Sequence, residues 1–133
     1  MNESELSLRL IGVLPPSTDL NRLLSEVADI ERRRGMPSRR RRGPPQEVDV
    51  WAVTLVKRDS WTGPMPDQAA LSQAIDRLRQ MAPQLASLDR TGLKAELYVS
   101  TIQDHEQGGF ELPAEVIIVA GQARLDLVVS ILD

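Results

Sequence analysis

The stretch that most constrains this chain is Val48 to Lys57, which reads Val-Asp-Val-Trp-Ala-Val-Thr-Leu-Val-Lys. Val48, Val50, Ala52, Thr54 and Val56 form one alternating set, and Trp51, Val53 and Leu55 belong to the other. An extended segment here is therefore apolar on both faces, which is the pattern of a strand inside a sheet. A helix competes for the same residues. The β-branched enrichment, Pro44-Pro45 before the stretch and Gly63-Pro64 after it favour a strand of ordinary length. The fold is predicted around this central strand.

The remaining elements are read outward from it. Residues 6–14 give a first strand with Leu6, Leu8 and Leu10 on one face and Ser7 and Arg9 on the other, half exposed. Pro15-Pro16 stops it, and Ser17 or Thr18 can cap a helix that begins near Asp19 and buries Leu20, Leu23, Leu24 and Val27. Periodicity fails over 28–47, where Gly35, Pro37, Gly43, Pro44 and Pro45 predict a long loop. Asp67 suits the N-cap of the longest helix, whose stripe is Leu71, Ile75, Leu78, Ala82 and Leu85. Pro83 is expected to kink or split that helix near Gln80. A third strand follows with Leu93, Ala95, Leu97 and Val99 inward and Lys94, Glu96, Tyr98 and Ser100 outward, and Gln103 to Gly109 reads as a polar loop. Over 113–121 strand propensity in Val116-Ile117-Ile118-Val119 conflicts with a helix-opening proline, Pro113, and a stop at Gly121; the reading is a short helix. Leu125 to Ile131 alternates as a closing strand. The order β-α-β-α-β-α-β predicts an α/β (α+β) fold: a single mixed four-stranded sheet with about three helices on one face and the other face open.

A chain of 133 residues with this pattern is expected to be one domain, 1–133, able to bury its own core. The absence of cysteine excludes disulfides, thiolate metal sites and a cysteine nucleophile. The acidic start Met1-Asn2-Glu3-Ser4-Glu5 lacks the pattern of a secretory signal, and no apolar run is long enough to cross a bilayer, so a cytoplasmic location is expected. Charge is uneven along the chain. Seven arginines, Arg32, Arg33, Arg34 and Arg39 to Arg42, lie in a stretch with no acid, while the other nine basic residues face all nineteen acids.

The Leu-rich opening strand Ser7-Leu8-Arg9-Leu10, the tryptophan strand Val50-Trp51-Ala52-Val53, the long helix, and the closing Phe110-Glu111-Leu112-Pro113 with Leu125-Asp126-Leu127 together resemble a widespread family of small bacterial proteins. That family is classed only as a domain of unknown function. The resemblance implies a small α/β fold and, as with members regarded as immunity proteins, a role beside secreted toxins. It carries over no catalytic residue, and the basic connection here is longer and richer in arginine than the family pattern.

Chemistry is thinly represented. His105 stands in Asp104-His105-Glu106 on a polar loop, where a base or metal ligand would need convergent partners that one loop does not assure. Gly108-Gly109 lacks the strand, lysine and spacing of a phosphate cradle. No catalytic residue, cofactor or metal is nominated, and the chain is read as non-enzymatic. The favoured function is a protein-protein interaction module, an immunity or accessory protein that occludes a partner, using the open sheet face with Arg9, Lys94, Glu96 and Tyr98, and Trp61 as a loop anchor. Trp61 could equally cap the core. An inhibitor of a basic site would use acids such as Asp59, Asp104, Glu106 and Glu111. The alternative is a polyanion-binding module for RNA or DNA, in which Arg39, Arg40, Arg41 and Arg42 of the Arg32 to Arg42 loop clamp phosphates. Against it stand the acidic body and the lack of interleaved aromatics. Self-association is compatible with either reading.

Overall fold

The computed structural model describes residues 2–36, 47–103 and 109–132. Its elements, in chain order, are β1 (Glu3–Gly12), α1 (Leu20–Leu24), β2 (Ile30–Arg32), β3 (Asp49–Val56), a single 3-10 turn (Arg58–Ser60), α2 (Gln68–Ser87), β4 (Leu93–Ile102), α3 (Ala114–Gln122) and β5 (Asp126–Leu132). The strands form one mixed sheet in the order β2-β3-β1-β4-β5. Every neighbouring pair is antiparallel except β4 and β5, which α3 joins as a parallel unit.

The tryptophan strand lies inside the sheet, paired with β1 on one edge and β2 on the other. It is not the middle strand. β1 holds that place, between β3 and β4; Leu6, Leu8 and Leu10 are covered as their shared face predicts, while on the face expected to be exposed Ser7 is covered and Arg9 half-buried. In register, Leu8 sits between Val53 and Leu97, and Leu10 between Trp51 and Ala95. An extra residue in β3 opposite Leu6 and Ser7 interrupts the alternation, so the successive residues Leu55 and Val56 are both buried.

These side chains form one core with Leu20 and Leu24 of α1, Leu71, Leu78 and Leu85 of α2, and Val116 and Val119 of α3. The helix layer covers one face of the sheet, as the patterning predicts. The stripe Leu71, Ile75, Leu78, Ala82 and Leu85 is buried throughout, and Asp67 caps α2 by accepting from the Ala70 amide.

Four expectations are corrected. The sheet has five strands, because Ile30-Glu31-Arg32 inside the predicted loop adds to β3. Three residues are too few for alternation to show. α1 is one turn long and capped by Asp19, not by Ser17 or Thr18, and Ser25 in the left-handed region ends it; Val27 is left 79 % exposed beyond its stripe. α2 continues through Pro83 without a break. Pro83 stands on the exposed side, where water can take the Arg79 carbonyl that loses its amide partner. Finally, Trp61 is fully buried, as described below. Among the described residues no helix is long and apolar enough to cross a membrane.

Candidate interaction surface

The sheet face opposite the helices carries Arg9 of β1 and Lys94, Glu96 and Tyr98 of β4, as alternation predicts. Arg9 is level with Glu96, and its Nη2 stands 3.6 Å from Glu96 Oε1. Its guanidinium carbon lies over the Tyr98 ring, 3.7 Å from the centroid. The three side chains are engaged with one another but not fully satisfied: Glu96 is only 7 % exposed, and Arg9 Nε is sheltered with no hydrogen-bond partner. Lys94 alone of the four extends into solvent. A partner docking here would have to compete with an internal cation-π and ion-pair cluster, which weakens the case for this face as the principal contact.

Trp61 does not belong to that face. It is completely buried, its Nε1 donating to the Pro64 carbonyl and its ring meeting Phe110 edge-on at 5.9 Å. The Ser4 amide donates to the Trp61 carbonyl, and Thr62 bridges to Glu3, so the turn is fastened along β1 and the indole fills the core end beneath it. The anchor reading is therefore replaced by the core-capping one. Asp59 and Glu111 are exposed on adjoining turns at this end.

The base of the arginine-rich stretch is built around Asp49. This carboxylate, 3 % exposed, accepts from the Leu14 amide at 2.8 Å, the Arg34 amide at 2.8 Å and Arg34 Nε at 3.3 Å. Burial alone pushes its pKa up, but the two amides together with the Arg34 and Arg33 charges outweigh that cost and hold the carboxyl below its ordinary range. Arg34 also donates to the Leu14 carbonyl, and Arg33 to the Thr18 carbonyl. These two guanidiniums fasten the β2 turn to the end of β1, so they are occupied within the fold. A cleft of about 500 Å³ beside them is walled by Val13, Leu14, Pro16, Leu88 and Leu93. Arg39, Arg40, Arg41 and Arg42 lie outside the described residues, as do Asp104, His105 and Glu106. Among the described residues no three of His, Cys, Asp and Glu gather in a way that could hold a metal.

The surface that sequence reasoning missed is the outer flank of the β4-α3-β5 unit. β5 is an edge strand, and the residues expected to point inward from it, Leu127, Val129 and Ile131, are 51, 41 and 63 % exposed. Val116, Val119, Ala120 and Ala123 of α3 face the core, while Glu115 meets Arg79 at 3.5 Å and so marks the flank of α3 turned to α2. At about 100° per residue Ile117 falls on the flank away from Glu115, above β5, and Ile118 faces outward. Both isoleucines are more than half exposed. Leu127, Val129 and Ile131 thus lie exposed along one free edge with Ile117 on the flank of α3 beside them. The signal was present in the run Val116-Ile117-Ile118-Val119, which has more aliphatic residues than one helical stripe can bury.

No family model, curated protein or solved structure matches the chain.

Proposed function

We propose that this chain is a non-enzymatic protein-interaction module and that its working surface is the apolar flank formed by α3 and β5. The observation that supports this reading is the exposure of Leu127, Val129 and Ile131 along a strand edge that no described strand pairs, with Ile117 on the flank of α3 beside them. Their exposed area comes to roughly 400 Å², within the range of the largest patch a monomer leaves uncovered. The patch adjoins a row of backbone donors and acceptors along the strand edge. Such an edge gains main-chain hydrogen bonds only from another polypeptide, which favours a protein over a lipid surface or a small apolar ligand. An immunity-type inhibitor would be one form of such a module, with exposed Asp59 and Glu111 available to a basic partner.

The test is site-specific photocrosslinking in cells that express the chain, with the reactive residue at position 117 and, as control, at exposed position 27. A defined protein adduct is expected from 117 that disappears when Val129→Lys is added, with none from 27. If position 117 gives no adduct, or only the background seen at 27, the reading is wrong.

A further inference from the structure

We infer that the occupant of this surface is a second copy of the chain, docked by antiparallel pairing of β5 with β5 about a two-fold axis at Val129. The inference rests on the reading above and adds the identity and register of the partner.

The two edges of the sheet differ. β2 is three residues long and carries Glu31 and Arg32, features that discourage edge-to-edge association. β5 is seven residues long, has no proline and no lysine, and bears a single charge, Asp126, at its start. Among the described residues no strand pairs with its outer edge.

The direction of its backbone groups follows from one hydrogen bond. The Leu132 carbonyl accepts from the Gln103 amide, which continues the β4 side of the ladder. Because backbone groups alternate in direction along a strand, those of Asp126, Val128 and Ser130 also point toward β4. The amides and carbonyls of Leu127, Val129 and Ile131 then point outward. These are the same residues whose side chains make the apolar stripe.

A two-fold axis at Val129 sets Val129 opposite its own copy and Leu127 opposite Ile131. Every facing pair in this register can exchange both of its outward backbone hydrogen bonds. The aliphatic side chains of the two copies stack on the helix side, and Ile117 of each copy borders the seam. The two Asp126 side chains lie at opposite ends of the paired strands, about 20 Å apart, so they do not face one another. The strand edge is self-complementary in its outward hydrogen-bonding groups and in its apolar stripe, which favours a copy of itself over a partner of different sequence. Full burial of Leu127, Val129 and Ile131 on both copies covers roughly 550 Å² and Ile117 adds roughly 200 Å², so the contact is smaller than a standard interface of about 1,200 Å² and relies on its main-chain hydrogen bonds. The product is one continuous sheet with both helix layers on one side and both Arg9-Tyr98 faces on the other.

Sedimentation equilibrium on the full chain tests this, from about 1 to 200 μM. A dimer with a dissociation constant on the order of micromolar is expected. Val129→Pro removes only an outward amide, Ile131→Lys adds a charge to an exposed position, and Val27→Lys is the control, with far-UV circular dichroism checking the fold of each. The first two are expected to weaken the dimer at least about tenfold and the control not at all. If Val129→Pro fails to fold, Ile131→Lys carries the test. A monomer across the whole range, or a dimer unaffected by the folded β5 variants, overturns the inference. A monomer that still crosslinks from position 117 to a different protein overturns it while leaving the interaction-module reading intact.

Discussion

Gly12 is where one added carbon would cost most. It sits at the end of β1 with φ of +146°, and a Cβ built there would come within 2.0 Å of the Gly92 carbonyl oxygen. Both strands would have to part to admit it, so Gly12→Ala is expected to lower stability by roughly 3 kcal/mol or more, read as the urea midpoint. Arg124 is the converse case. It follows α3 in the left-handed region, φ 58°, where its amide bonds to Gly121 and the Leu125 amide to Ala120. That is a Schellman ending, in which glycine is the favoured residue, so Arg124→Gly is expected to stabilise by about 1 kcal/mol. Asp49 sets a pH dependence. Its folded pKa lies below the unfolded value of about 3.9. The stability it contributes is therefore complete above that pH and is lost as pH falls through the folded value. Asp49→Asn is expected to cost about 1–2 kcal/mol at pH 7, and the difference from the parent chain to shrink below about pH 4 in a urea series.

Legibility in the sequence tracked the length of each element. The stripe of α2, the inward set of β4 and the two-sided apolarity of β3 were all readable, because each repeats over enough residues for a period to emerge. Pro113 opened α3 as expected, but the helix ends at Gln122 and Arg124 takes the left-handed position that Gly121 seemed suited to fill. β2 was hidden by its three residues, and its pairing depends on Asp29, which accepts from the Thr54 amide and donates its own amide to Ala52. Neither contact leaves a local signature. The middle position of β1 was also illegible, since strand order is decided by long-range packing and not by any single strand's composition. The split expected at Pro83 does not occur, because α2 is held by a buried stripe along its full length. The proline penalty is still there to recover: Pro83→Ala is expected to raise stability by on the order of 2 kcal/mol, measured by thermal unfolding, with helicity unchanged or slightly higher.

At the scale of the whole molecule, the sequence patterning placed the sheet and its helices, while the open face it favoured is not the flank proposed as the working surface. Arg9, Glu96 and Tyr98 were found together on the open face, yet they are engaged with one another. Trp61 looked like an anchor because it lies in a turn-rich segment, and it went inward because that turn is bonded along β1. The α3-β5 flank was invisible for another reason. Alternation in β5 gives no sign that Leu127, Val129 and Ile131 stay exposed at the sheet edge beside α3. The account depends on those residues meeting another polypeptide. Amide hydrogen exchange as a function of protein concentration tests this most directly, because Val128 and Ser130 point their amides at β4 while Leu127, Val129 and Ile131 point theirs outward. The predicted result is slow exchange at Val128 and Ser130 at every concentration, with Leu127, Val129 and Ile131 fast in dilute solution and slowed together as concentration rises. Outward amides that exchange equally fast at all concentrations, in chains whose inward amides stay protected, would contradict it.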